Sequence, residues 1–556
     1  MQILTAAEMQ ACDQATSRDH GIPSERLMLS AAGAVARFVR EQFPTVDRIT
    51  VLCGRGNNGG DVLHAARLLA ESGRQVTVLL FGDPSTLKDE PAEAWKRLMR
   101  NPSLVSTNII LAEEDLAQHS AALSAGLILD AIVGTGFRPP LRGLPLAALN
   151  WLQPSTAPIL AIDLPSGWDA DSTTSTAESV FPADAVVTFT APKPAHVFGQ
   201  LTRRWDQPIV VAPIGSPPQA IVSAQNLRWA GAAKAITEPL RPADSNKGLF
   251  GHVLVVGGSQ GKSGAPSMSS LAALRSGAGL VTAAIPAPQL PLVAAIAPEL
   301  MTIPLATGAD GQISPSNLSP EFLNSLLNRV TVLAVGPGLG TTPQTANFVL
   351  ALLAACSIPT VIDADALNIL AAQPSLLPSL ARGRPLVLTP HPGEMSRLSG
   401  LSIAEIQASR LQVARNFAVR NGLTLILKGW RTLIAHPDGS VAVNTSGNPA
   451  MAKAGSGDLL TGIVAALLAQ HPEDPARAVE AAVYLHGLAA DIALRQQDQH
   501  TLLATDLLTC LPQAFRYLSQ THSGYCWLQG LHAESTLPIQ VREERHDQSS
   551  GGSPRV

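Results

Sequence analysis

Short apolar runs of strand length alternate with helix-length segments along most of this chain. Nearly every run empties into a loop of Gly, Pro, Asp or His. Residues 49–82 show the unit: ITVLC reads as a strand, GRGNNGGD as a turn, VLHAARLLAESG as a helix and RQVTVLLFG as the next strand. That is a βαβ crossover. GLILDAIVG (126–134), PILAIDLP (158–165) and AVVTFT (185–190) continue it. Such alternation predicts an α/β fold with mainly parallel sheets covered on both faces.

The pattern weakens after VVAPIG at 210–215, where SPPQA and LRPADSNKG bring prolines and few strand signals. It resumes with GHVLVVGG, SMSSLAALRSGAG and LVTAAIP, and runs through VTVLAVGPGLG, IPTVIDADAL, RPLVLTPHPGE and LTLILKGW. Two α/β domains are therefore expected, 1–225 and 226–518, and the 556 residues exceed what one ordinary core supports. Residues 519–556 lack periodicity and end in polar, Ser/Gly-rich sequence, which predicts a disordered tail.

A net charge of −4 without a basic run argues against a nucleic-acid partner. Five widely spaced cysteines with no CxxC suit a reducing, cytoplasmic setting rather than a zinc site. No apolar run reaches the ~18 residues of a membrane span.

Ligands of open α/β sheets bind at the carboxyl ends of the strands, so the loops there carry the candidate chemistry. Gly455-Ser456-Gly457-Asp458 runs straight into the apolar helix-like stretch LLTGIVAALLA. Free N–H groups and the positive end of the helix dipole gather at such a junction and attract an anion. Asp458 beside them could move a proton where a phosphate is held. The plain alternative is a glycine turn with an Asp near a helix start, where Asp is common.

GRGNNG at 54–59 matches G-x-G-x-x-G, yet no acidic residue ends the second strand to hold a ribose. The dinucleotide reading is therefore set aside. GGSQGKSG at 257–264 imitates a phosphate loop, but the first glycine of that motif would fall on Val256. Asp130 and Asp163 end strands and Lys193 follows one; singly, each has an ordinary loop explanation. Asp363 ends a strand, His391 and Glu394 share a loop, and Lys428 ends LTLIL.

NNGGD, DAIVGTGFRPP, DLPSGWDAD and PKPAH, in this order, resemble the epimerase domain of the NAD(P)H-hydrate repair enzymes across nearly all of residues 1–215. The resemblance implies a Rossmann-like three-layer sandwich. It implies a hydrated nucleotide cradled by Asn57, Asn58, Gly59, Gly60, Asp61, Gly134, Thr135, Gly136, Phe137, Arg138, Pro139, Pro140 and Asp163. It further implies potassium on Asn58, Asp130 and Ser166, and proton transfer by Lys193 with Asp163 or Asp184. Two positions depart from the family pattern: Val62 and Ala195 stand where glycines are usual. If either glycine needed φ > 0, the loop must adjust, and an inactive binding module becomes the rival for this half.

SGAP, GPGLG, DADALN, TPHPGE, LKGWRT and AGSGDLLTG, again in order, resemble the ADP-dependent NAD(P)H-hydrate dehydratase domain over about residues 230–515. That domain is ribokinase-like. The resemblance implies that the hydrated nucleotide meets Ala265, Gly338, His391 and Asp458, with Asp458 as catalytic base. ADP would lie along Lys428, Gly429, Trp430, Arg431 and Thr432 and at Gly457, with magnesium offsetting charge on the phosphate. The implied partners are the small molecules NADHX, NADPHX and ADP, and a homo-oligomer is expected. The rival reading is a ribokinase-like small-molecule kinase fused to a nucleotide-binding module.

Overall fold

The computed structural model describes residues 1–309 and 311–532. Two sheets organise the chain. The first has eight strands in the order Cys526–Gln529, Ile209–Ala212, Ala185–Phe189, Ile159–Ile162, Leu127–Ala131, Arg48–Cys53, Gln75–Phe81, Ser106–Ile110. All its neighbours pair in parallel except Cys526–Gln529, which lies antiparallel on Ile209–Ala212. Leu127–Ala131 and Ile159–Ile162 are buried at every residue, as strands covered by helices on both faces must be.

The second sheet has ten strands: Met301–Leu305, Leu280–Pro286, His252–Val256, Val332–Val335, Thr360–Ile362, Leu386–Leu388, Thr424–Leu427, Leu433–Ala435, Val441–Val443, Leu227–Trp229. The three strands from Thr424 to Val443 run antiparallel to one another, and the pairs up to Thr424–Leu427 are parallel. The α/β class predicted from the alternation is the one observed.

The helix Ser456–Gln470 is the central helix of this domain, buried from Leu459 to Ala469. It packs on Gly264–Arg275 at Gly462, where a Cβ would stand 2.1 Å from the Ser269 carbonyl oxygen. Only glycine permits that approach. The contact fixes the start of one helix against the start of the other, and both starts face the candidate site.

Two expectations need correction. Leu227–Trp229 is a strand within the stretch read as poor in strands, and it pairs with Val441–Val443 through backbone rather than through any pattern of its own. The tail expected from 519 instead supplies the edge strand Cys526–Gln529 to the first sheet. Tyr525 explains why it docks: its ring meets Phe38 edge-on, and its hydroxyl donates to the Ala34 carbonyl at 2.6 Å. Residues 533–556 of that expected tail lie outside the described residues. Among the described residues no helix is long and apolar enough to cross a membrane.

Candidate active sites

The first site forms where the first sheet's strands end. The NNGGD segment, read as a turn, is already helical: Asn57–Glu71 begins directly after Gly56. Its first turn therefore presents unbonded N–H groups to the cleft. Asn57, Asn58, Gly59, Asp61, Gly134, Thr135, Gly136, Phe137, Arg138, Asp163 and Lys193 line one cleft of about 1210 Å³. Gly60 faces the Met28 side chain rather than the cleft, and Pro139 and Pro140 are exposed beyond its rim.

Asp163 follows Ile159–Ile162 with φ 64, a left-handed conformation that Asp tolerates better than most residues. The turn swings its carboxylate to accept from Lys193 Nζ at 2.7 Å and from Thr188 Oγ1 at 2.7 Å. Lys193 is 2% exposed and also donates to Thr188 Oγ1 at 2.9 Å. Burial, the largest single influence, works against charge on Asp163, but the Lys193 ammonium, His196 and the hydrogen bonds from Lys193 and Thr188 together outweigh it and hold the carboxyl below its usual range. His196 completes the unit. Its Nδ1 accepts from the Lys193 N–H at 2.9 Å, so Nε2 carries the proton and donates to the Asp163 carbonyl at 2.7 Å. Burial and the neighbouring ammonium push this imidazole down to about 4, which keeps it neutral.

Asp130 and Ser166 lie beneath the cleft. Asp130 accepts from Ser166 Oγ at 2.6 Å and from the Ser166 N–H at 2.7 Å. Asn58 donates to the carbonyls of Val133 and Ile162 at 3.2 and 3.0 Å. Its Oδ1 is buried and accepts from no described residue.

Asp184 does not belong to this site. It precedes Ala185–Phe189, at the amino end of the strand, where it accepts from the Ile159 N–H at 2.9 Å and from Arg203 at 2.8 Å. Of the two aspartates expected beside Lys193, the structure brings only Asp163 to it. The two departures from the family pattern prove harmless to the backbone. Val62 lies within the helix Asn57–Glu71 and Ala195 within Pro194–Phe198, and neither has positive φ.

The second site repeats the logic. Asp363, 1% exposed, ends Thr360–Ile362 and accepts from Thr389 Oγ1 at 2.6 Å, Thr461 Oγ1 at 2.8 Å and Lys428 Nζ at 3.1 Å. Lys428 also stands 3.8 Å from Glu394. Burial disfavours both charges, but the pairing wins, lowering Asp363 and raising Lys428. Gly457, in the first turn of Ser456–Gln470, lies beside them; a Cβ there would stand 3.3 Å from Lys428 Nζ and 3.8 Å from Asp363 Oδ2. Asp458 follows it, its carboxyl pushed up to about 6 by burial and then by the Asp363 charge.

Around this centre, Gly338 sits against Ala265, whose Cβ would be 3.2 Å from one added at the glycine. His391 caps the helix Pro392–Ser399: its Nδ1 accepts from the Gly393 N–H at 3.0 Å, and Glu394 accepts from the His391 N–H at 2.8 Å. Ala265 and Gly338 are thus one wall, and His391 joins Lys428 through Glu394. In the sequence Asp363 reads only as the end of a strand; its place at the centre comes from three partners distant in sequence, Thr389, Lys428 and Thr461.

The run Lys428–Thr432 divides. Lys428 faces the centre, but Arg431 is 5% exposed and donates to the carbonyls of Thr445 at 2.8 Å and Gly199 at 3.4 Å and to the Gln529 side chain. Trp430 Nε1 donates to the Phe198 carbonyl at 3.2 Å. Both side chains, expected as ADP contacts, bridge the two domains in this structure. The two terminal nitrogens of the Arg431 guanidinium and the Trp430 indole N–H are engaged in this way, while Arg431 Nε is buried without a partner among the described residues.

Comparison with known proteins follows the same division. Residues 253–513 match the family described as NAD(P)H-hydrate dehydratase, and residues 24–195 the YjeF-related protein N-terminus. The bifunctional NAD(P)H-hydrate repair enzyme Nnr of Moorella thermoacetica is 41% identical over 94% of this chain and 98% of its own length. That of Escherichia coli K12 is 33% identical over 96% of this chain and 93% of its own length. The Bacillus subtilis ADP/ATP-dependent NAD(P)H-hydrate dehydratase, solved with ATP and Mg2+, shares 33% identity over 52% of this chain and 99% of its own, with a TM-score of 0.44. With an epimerase-type site and a dehydratase-type site on one continuous chain, this protein belongs to the family of bifunctional NAD(P)H-hydrate repair enzymes.

Proposed function

We propose that the first domain interconverts the C6 epimers of hydrated NADH and NADPH, and that the second returns the S epimer to NAD(P)H at the expense of ADP. The observation that supports the second step best is the meeting of Gly457, Asp458 and Lys428 at one helix start. The helix N-terminus and the Lys428 ammonium draw the terminal phosphate of ADP. Asp458, with a carboxyl near 6, takes the proton from the C6 hydroxyl as that oxygen attacks the phosphorus. AMP leaves. Loss of phosphate from C6 and a proton from C5 then restores the ring double bond.

Magnesium fits this centre as a companion of the nucleotide. The described residues offer no group of three or more His, Cys, Asp or Glu that could hold an ion alone, and magnesium usually binds through substrate phosphates with one or two carboxylates. When bound it supplies charge neutralisation on the transferred phosphoryl group.

In the first domain, the Lys193–Asp163 pair moves a proton at the C6 oxygen of the aminal centre. Potassium fits beneath it, since an all-oxygen set with one orphaned amide oxygen, Asn58 Oδ1, suits a hard cation; Asn58, Asp130 and Ser166 would hold it. Its contribution is to fix the cradle around the substrate.

Product analysis tests the assignment. Incubation of S-NADHX with ADP should yield NADH, AMP and phosphate in equal amounts. ATP turnover on an unrelated alcohol, with a phosphorylated product and no NADH, would move the second domain to the kinase reading.

A further inference from the structure

Asp13 lies on the helix Ala6–His20, upstream of the family match that begins at residue 24. Ala6, Gln10 and Asp13 share one helix face by their spacing and line the same cleft as Lys193 and Asp163. The Asp13 carboxylate is close enough to feel both of those charges. Its Oδ1 is buried and accepts from no described residue. Asp13 is half-buried, but a carboxylate oxygen buried for structure is normally hydrogen-bonded, and mid-helix Asp is a poor helix former. Neither local structure nor packing accounts for it.

We propose that Asp13 is a second proton-transfer group of the epimerase, serving the C6 oxygen from the N-terminal helix while the Lys193–Asp163 pair serves it from the strand ends. The proposal rests on the epimerase reading above. Inversion at C6 needs the hydroxyl to leave one face and oxygen to return to the other. The C6–O bond breaks as a proton passes to the departing oxygen, and the ring-nitrogen lone pair forms N1=C6. Water then adds to the opposite face and gives its proton to the other group. No oxidant or reductant is required, and the two groups exchange roles in the reverse direction.

The surroundings keep such a proton available. Asp61, Asp163 and Lys193 face the cleft beside Asp13, with Cys12 adjacent on its own helix and Glu90, Arg55 and Arg138 also lining the cleft. Three carboxylates converge on one buried ammonium, so they resist full ionisation together. Burial first, then repulsion from Asp163, pushes Asp13 up to about 6 against the pull of Lys193. Asp61 is raised for the same reasons.

The test follows R-to-S conversion of NADHX in the full chain, with ADP present so that the second domain reports each turnover. Asp13→Asn should lower kcat about 100-fold, leave KM within about threefold, and remove the pH–rate inflection near 6. Asp13→Glu should restore at least about a tenth of the rate. Direct dehydration of S-NADHX should be unchanged in both variants, showing that the chain is folded. Asp13→Asn at full rate with the inflection intact would overturn the proposal. So would a lost rate with an unchanged pH profile and no recovery by glutamate. A wild-type chain without epimerase activity, or Lys193→Met at wild-type rate, would instead sink the underlying reading.

Discussion

Lys428 Nζ lies 3.1 Å from Asp363 Oδ1, one full sheet away from a second pair of the same design. In the first domain Lys193 Nζ lies 2.7 Å from Asp163 Oδ1, and in each case a threonine hydroxyl, Thr389 or Thr188, donates to the same carboxylate. Both aspartates follow the last residue of a parallel strand. In each pair the charge-assisted bond offsets the cost of taking the carboxylate out of water, and the hydroxyl fixes the geometry.

The second pair predicts a selective loss. Lys428→Met should reduce S-NADHX dehydration by about 100-fold or more, as removal of a preorganised charge does. It should also destabilise the second domain by about 3 kcal/mol, because Asp363 is left buried without its cation. Epimerisation, measured with a separate dehydratase, should stay within about twofold. Equal losses in both activities would contradict independent sites.

Asp458 predicts a pH dependence. With its carboxyl raised to about 6, the ionised base accumulates above that pH, so dehydration should rise with pH through an inflection near 6 and then level. Asp458→Asn should abolish both the inflection and most of the rate. The linkage sign is that of a raised acid: the folded state is favoured by the protonated form below the unfolded value of 3.8 and loses this as pH rises through about 6. Asp458→Asn should therefore melt above wild type at pH 8, and the gap should close towards pH 4. Melting curves across that range decide it.

Much of this architecture was legible in the sequence because parallel strands buried on both faces read as unbroken apolar runs, and their carboxyl-end loops then announce themselves by composition. Asp163, Lys193 and Asp458 all sit in such loops or at the helix starts that follow them. What failed depended on partners far along the chain. Asp184 flanks a strand as Asp163 does, but at the end facing away from the site, and residue type alone carries no direction. The resemblance implies Arg431 only as part of an ADP-binding run, and nothing near it in sequence announces Gln529, 98 positions away, which accepts from it. Cys526–Gln529 is a strand only because Ile209–Ala212 offers an unpaired edge. Asp13 gave no signal beyond a single acid in a helix.

Gln529 predicts the value of that late strand. It accepts from Arg431 and donates to Thr202 Oγ1 at 3.0 Å and to the Gln207 carbonyl at 2.9 Å. Gln529→Ala should cost about 1–3 kcal/mol, the penalty of leaving a buried guanidinium short of a partner. Chemical denaturation should show a lowered midpoint. No change would mean that the strand only covers the sheet edge.

Val62 predicts that restoring the family glycine does not help. Val62 is fully buried within a helix, so Val62→Gly opens a cavity and weakens the helix, together about 3 kcal/mol. Epimerase kcat should not rise. A faster enzyme would show that the valine, and not its backbone, restrains the cradle.

The most direct test of two repair activities in one chain is recovery of reduced-nicotinamide absorbance from mixed-epimer NADHX, with ADP or without nucleotide. Two sites working in sequence should return nearly all the substrate when ADP is present, faster than spontaneous epimerisation allows, and none when nucleotide is withheld. Recovery that stalls once the S epimer is consumed would contradict an active first domain, and no ADP-dependent recovery would contradict the account of the second.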